Sequence, residues 1–261
     1  MKIQEVAETL ERFAPLPLQE SYDNAGLQVG LTEVEASGVL LCLDVTVEVV
    51  REAVAKGCNM IVAHHPLLFR GLKRIGDDTL VERCVRESIL QGVTLYAAHT
   101  NLDNAREGVN FEIAQRIGLQ QVEFLESSGT RDDSGSGVVG NLPEAMQPEL
   151  FLRRLKEVFH VECLLHNRGP QKPVCRIALC GGAGEFLVDA ALRQKADVFV
   201  TGEMGYHRFF GYEDKMWLAV MGHHQSEQFT VDLMQRILKD AFPDLKVERT
   251  QLSTNPICYM K

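Results

Sequence analysis

The sequence predicts an α/β fold built as two lobes of similar topology. Three observations predict it. Short apolar runs alternate with amphipathic stretches from residue 39 to 117. A stretch rich in Ser, Gly and Asp interrupts the pattern at 127–143, and the alternation resumes after Pro173. Repeated strand–helix alternation marks an α/β sheet with largely parallel pairing.

The elements follow in order. Ile3, Val6, Leu10 and Phe13 recur at helical spacing, so residues 2–13 form an amphipathic helix that Pro15 and Pro17 end. Val39 to Leu43 is a short buried strand. Asp44 and Thr46 then offer capping oxygens to a helix that runs to about Lys56 before Gly57. Asn59–Ala63 is a strand, 78–90 a helix stopped by Gln91-Gly92, 93–98 a strand, and 107–117 a helix stopped by Gly118. The stretch SSGTRDDSGSGVVGNLP at 127–143 reads as a loop or hinge, and a domain boundary falls there. Beyond it, 176–180, 197–200 and 217–221 are strands, 186–195 is a helix, 225–242 is one long helix, and 246–252 is a last strand. The segment from Lys56 to His65 compares with that from Lys195 to Glu203, each following a strand and a helix. This weak likeness suggests an internally repeated architecture, with chance similarity between two α/β units as the alternative.

Composition narrows the function. With 45% hydrophobic and 24% charged residues among 261, the chain is an ordinary soluble globular protein. A net charge of -9 with scattered Lys and Arg argues against bulk nucleic-acid binding, which depends on neutralising phosphates. Seven cysteines without a CxxC spacing argue against a disulfide framework and for a reducing, cytoplasmic setting. No targeting segment is visible, and no apolar run is long enough to cross a bilayer.

The chemistry concentrates at predicted strand ends, where ligands gather in α/β sheets. His64-His65 follows one strand, His99-Thr100-Asn101-Leu102-Asp103 another, and His223-His224 with Glu227 a third. Neighbouring residues on a strand point to opposite faces, so His64 and His65 are expected to reach two different ions. The plainer reading is a pair of capping or core histidines. Asp103 offers a carboxylate, but it also suits the N-cap of the following helix. His223 and Glu227 share a helix face if a helix starts near 223, a spacing that lets both hold one ion. Thr201-Gly202-Glu203-Met204-Gly205-Tyr206-His207 adds Glu203 and His207 as substrate-binding or acid–base groups. A solvated loop is its bland alternative. Gly181-Gly182-Ala183-Gly184, between strand and helix, offers backbone N–H groups to an anion or is only a tight turn.

These clusters resemble the YbgI, or NIF-three-like, dinuclear metal-centre family, whose members carry the label of type 2 homologues of GTP cyclohydrolase I. The motifs are SYDNAGLQVG at 21–30, HHPLLF at 64–69, AAHTNLDNAREGVN at 97–110, CGGAGEF at 180–186, TGEMGYH at 201–207 and GHHQSE at 222–227. They span nearly the whole chain in family order. Two departures stand out: Tyr22 where the family often has Trp, and Val138 in a glycine loop where Arg is frequent. The long central insertion of some relatives is missing, so no regulatory domain is expected.

The resemblance implies an interlinked NIF-three-like fold. In it, 1–125 plus 215–261 form a metal-binding α/β domain and 126–214 a smaller inserted α/β domain. It implies two divalent ions (Zn, Mn, Fe, Co or Ni) held by His64, His65, Asp103, His223 and Glu227, with Asp103 and Glu227 as the bridging candidates. His99, Glu203 and His207 become candidate proton carriers. The implied activity is metal-dependent hydrolysis of a nucleotide or related small molecule, such as opening the purine ring of GTP at C8. The alternative is a non-catalytic metal-binding scaffold or regulatory interaction protein. A toroidal homohexamer is the implied assembly.

Overall fold

In the computed structural model, which describes residues 1–128 and 133–260, the chain starts with α1 (Ile3–Phe13). Its buried face carries Ile3, Val6 and Leu10, three and four residues apart. An edge strand, β1 (Gly26–Val29), precedes β2 (Val39–Cys42). Thr46, not Asp44, caps α2 (Val47–Ala55): its side chain accepts from the Val49 N–H. β3 (Met60–Ala63), α3 (Leu80–Gln91) and β4 (Thr94–Ala97) follow. Thr79 caps α3 at its start, and Gly92, at φ 66°, ends it. The short α4 (Thr100–Asp103) and α5 (Val109–Ile117) come next. Then come β5 (Gln120–Ser127), β6 (Gly135–Met146), α6 (Pro148–Val158), β7 (Leu165–His166), β8 (Val174–Cys180) and α7 (Val188–Arg193). The chain closes with β9 (Val198–Thr201), β10 (Trp217–Val220), α8 (His223–Glu227), α9 (Thr230–Ala241) and β11 (Val247–Arg249).

The chain divides into two compact units, one of Met1–Leu102 with the segment from Thr230, the other of Asp103–Phe229. The breaks between these units fall at 102/103 and 229/230. The reason lies in the sheets. α5 packs on β5, β6 and β8, and β10 pairs with β9, so all of these belong to the second unit.

The first unit holds a five-stranded sheet in the order β1-β4-β3-β2-β11, parallel except for β1 against β4. Every residue of β2, β3 and β4 is buried, which is why they read as unbroken apolar runs. Cys42 pairs with Ala63, and Ala63 with Ala97, so the three strands end level. The residues just beyond them therefore emerge side by side.

The second unit holds a six-stranded sheet in the order β5-β6-β8-β9-β10-β7. Only β8, β9 and β10 run parallel, so the sheet is mixed where the sequence predicts largely parallel pairing. Cys180 pairs with Thr201, and Thr201 with Val220, again a level end.

Two expectations are corrected. Most of 127–143 is strand, not hinge: β5 and β6 form an antiparallel ladder in which Val138 is fully buried, with 129–132 outside the described residues. Its glycines serve close backbone approach; a Cβ on Gly135 would lie 2.4 Å from the Glu126 carbonyl oxygen. The long helix at 225–242 is two helices, because Phe229 packs on Phe159 of the second unit while Leu233, Met234 and Leu238 enter the core of the first. The sequence reading also omits β1, α4, β5, α6 and β7. Among the described residues all seven cysteines are free, and burial pushes the Cys84 thiol up to about 11. No described helix is long and apolar enough to cross a membrane.

Candidate metal centre

In the first unit the level ends of β2, β3 and β4 deliver Asp44, His64-His65 and His99. The ring centroids of His64 and His65 are 4.9 Å apart, and that of His99 lies 5.3 and 5.5 Å from them. The opposite-face expectation therefore fails. β3 ends at Ala63, so strand alternation no longer governs the two residues after it.

All three imidazoles are held in the same way. His64 Nδ1 donates to the Ala98 carbonyl at 2.8 Å, His65 Nδ1 to Asp44 at 2.8 Å, and His99 Nδ1 to Asp23 at 2.7 Å. A carbonyl accepts only, so in neutral His64 the proton sits on Nδ1 and the lone pair on Nε2. Carboxylates impose the same tautomer on His65 and His99. Imidazoles tethered at Nδ1 and basic at Nε2 are the form that binds metal, and such outer partners raise ligand basicity. His64 is fully buried.

Asp23 is the hub of this arrangement. Besides His99 it accepts from the Thr100 hydroxyl and from the Thr100 N–H at 3.1 Å. Burial alone would raise its carboxyl; the bonds from His99 and Thr100 overcome that and hold it at about 2. The exposed ring of Phe69 stands edge-on to His99 at 6.2 Å and Tyr22 lies 6.3 Å from Phe69, forming an aromatic wall beside the imidazoles.

In the second unit the level ends of β8, β9 and β10 deliver Gly181-Gly182, Gly202-Glu203 and His223. α8 starts at His223, so His223 and Glu227 share a face as expected, with Nε2 3.0 Å from Glu227 Oε2. Glu203 Oε1 lies 3.3 Å from His223 Nδ1, which makes it the partner of that ring. Glu227 is 4% exposed. Its seat is Gly182, at φ 58°, where an added Cβ would lie 2.2 Å from Glu227 Oε1.

The glycine turn is not an anion cradle. The N–H groups of Gly181, Gly182 and Gly184 donate to Asn110 Oδ1, Ser226 Oγ and Thr201 Oγ1 at 2.9, 2.9 and 3.0 Å. Asp103 is the last residue of α4, and Gly108 occupies the N-cap of α5, so the capping alternative fails. The Asp103 carbonyl accepts from Asn110 Nδ2 at 3.1 Å. His207 is exposed, with its ring against Tyr206 and Phe210.

The structure thus groups His64, His65 and His99 in one unit and His223, Glu203 and Glu227 in the other. Sequence reasoning missed Asp23, Asn110 and Ser226 and gave Asp44 a capping role. Asp23 lies within the first motif and Asn110 within the third, but their partners are far along the chain. The donor set, neutral imidazoles plus carboxylates, fits divalent first-row metals.

Comparisons with known proteins give the family. The family model for Duf34/NIF3 (NGG1p interacting factor 3) matches residues 1–256. A protein of Clostridium acetobutylicum named GTP cyclohydrolase 1 type 2 homolog is 32% identical, over 92% of this chain and 91% of its own. A Lactococcus lactis protein of the same name is also 32% identical, over 98% of both. The solved structure of Staphylococcus aureus hypothetical protein SA1388 is 27% identical with a TM-score of 0.91, covering 100% of this chain and 99% of its own. A Bacillus cereus protein related to NIF3, 23% identical with a TM-score of 0.90 over 100% and 99%, shares the fold. By motif order, matched length and fold alike, this chain belongs to the Duf34/NIF3 family.

Proposed function

We propose that this chain binds two divalent metal ions and acts as a metal-dependent hydrolase on a nucleotide or related small molecule. The observation that carries the reading is the shared tethering of His64, His65 and His99 through Nδ1. In this reading His64, His65 and Glu227 would hold metal, joined by Asp103 and His223. The 3.0 Å pair of His223 Nε2 and Glu227 Oε2 is one a cation would share. Bound divalent ions would supply Lewis acidity, polarising the electrophile and activating water.

The chain's own groups do the rest. His99, anchored on Asp23 through Nδ1, exchanges a proton with the substrate at Nε2. Glu203 steadies His223, and His207 contacts substrate from the Tyr206–Phe210 cluster. The Phe69–Tyr22 wall favours a substrate with a planar ring, since aromatic faces stack on bases. The name carried by relatives, GTP cyclohydrolase 1 type 2 homolog, agrees with a purine nucleotide. A toroidal homohexamer is the proposed assembly, to be measured by light scattering.

The test is metal analysis joined to a nucleotide-hydrolysis screen on wild type and Glu227→Gln. Two equivalents of metal, falling in the variant together with turnover, support the reading. Full activity in a metal-free variant refutes it. Metal without turnover on any substrate transfers the assignment to a metal-binding scaffold.

A further inference from the structure

The segment after β11 carries little apolar burial but ends on the histidine cluster of its own unit. Thr250 donates its N–H to the Leu41 carbonyl at 2.9 Å and its hydroxyl to Glu52. The Gln251 N–H reaches the other Glu52 oxygen at 2.9 Å. Gln251, Leu252 and Ser253 are exposed. Thr254 then turns inward and donates its hydroxyl to Asp44 Oδ2 at 2.9 Å, while Asp44 Oδ1 accepts from His65 Nδ1 at 2.8 Å. One carboxylate is thus held at both oxygens, by a strap residue on one side and by an imidazole on the other.

We propose that Thr254 is a positioning residue for His65, acting through Asp44. The inference rests on the metal-binding reading only for its consequence, not for its geometry. An aspartate side chain turns about two bonds. With Oδ2 fixed by the Thr254 hydroxyl, the carboxylate plane is set and Oδ1 points at His65 Nδ1. That bond fixes the tautomer and the ring angle that leave Nε2 as the basic nitrogen. Without the hydroxyl, Oδ2 of Asp44, whose side chain is 38% exposed, exchanges the strap for water and the plane that aims Oδ1 at His65 is set less firmly. Hydrogen bonds rather than buried surface hold the strap, so removing one hydroxyl leaves the core untouched.

The test compares Thr254→Val, which keeps the shape and removes the donor, with Thr254→Ser, which restores it. In the metal-free full-length protein, nitrogen-15 spectra of the imidazoles report the His65 tautomer, with the signal assigned by its loss in His65→Ala. Wild type and Thr254→Ser are expected to hold the proton on Nδ1, and Thr254→Val to show a mixture. In calorimetric titration with Zn2+ alone, Thr254→Val is expected to bind ~3–10-fold more weakly. That is less than the ~10–100-fold typical of losing a direct partner of a ligand, as in Asp44→Ala. Thr254→Ser should fall within ~2-fold of wild type. A Thr254→Val protein with a wild-type His65 tautomer and wild-type Zn2+ affinity overturns the proposal. Should wild type bind no Zn2+, the metal reading falls, and the tautomer spectra still decide this one.

Discussion

Replacing Gly182 by alanine separates the backbone role of this glycine from its role as a seat for Glu227. At φ 58° an alanine pays the left-handed penalty, about 1–2 kcal/mol. Its Cβ would also sit 2.2 Å from Glu227 Oε1 and 3.2 Å from Cδ. The carboxylate must withdraw by about 1 Å to restore ordinary contact. Because Oε1 is the far end of a flexible side chain, that withdrawal costs little stability, but it breaks the 3.0 Å approach to His223 Nε2. Gly57 is the control. It has φ 66° and nothing within 4 Å of an added Cβ, so alanine there pays the backbone penalty alone. Thermal unfolding should show both variants lowered by a similar ~2–6 °C. Metal titration should separate them: Gly57→Ala at wild-type affinity, Gly182→Ala weakened more than ~10-fold, with turnover down ~100-fold as expected of a 1 Å misplacement. Equal metal affinity in the two variants would refute the role given to Gly182 and, with it, to Glu227.

Three further outcomes follow. Asp23 is held at about 2 against an ordinary 3.8, so its contribution is complete above the ordinary value and fades as pH falls through 2. Asp23→Asn should lose roughly 2 kcal/mol or less at neutral pH once solvent screening is allowed for, and acid titrations of the two proteins should converge below about pH 2. Asn110→Ala removes the bonds to the Gly181 N–H and the Asp103 carbonyl and should cost about 1–3 kcal/mol in denaturant unfolding, with Asn110→Asp recovering only the Gly181 bond. Phe69→Ala should raise KM about 10-fold for a nucleotide substrate and leave kcat within ~3-fold, since stacking contributes ~1–3 kcal/mol. A kcat loss without a KM change would remove the aromatic wall from substrate binding.

The histidines were legible because of where they stand. Met60–Ala63 and Trp217–Val220 are buried on both faces, so each reads as an apolar run that a polar pair abruptly closes. What holds the histidines was not legible. Asp23 reaches His99 across 76 residues, and Asp44 reaches His65 across 21, so neither pair leaves a local pattern. Asp44 sits three residues before a helix and reads as a cap; the register of β2 with β3 brings it to His65. The glycine turn misled in a related way. Its composition matches an anion loop, but Asn110, Ser226 and Thr201, distant in sequence, take up the N–H groups. The hairpin of β5 and β6 was hidden by glycines that serve strand contact at 135 while resembling a linker.

The weak internal likeness between 56–65 and 195–203 gains a physical basis from the sheets. In the first unit three consecutive parallel strands end level at Cys42, Ala63 and Ala97; in the second they end level at Cys180, Thr201 and Val220. Each set releases its polar residues within three positions of that line. A level end needs apolar residues that fit a doubly covered sheet, and many combinations of Val, Ile, Leu, Ala and Met satisfy it. The register can therefore persist while identity fades, which is why only the residues just past the line still look alike in placement. The chemistry they carry differs. The first unit presents imidazoles whose Nδ1 protons are committed to oxygen acceptors, and the second presents Glu203 and Glu227 around a single ring. Imidazole nitrogens in the first unit and carboxylates in the second are both donor types that suit divalent first-row metals better than Ca2+ or Mg2+ once nitrogen is among them.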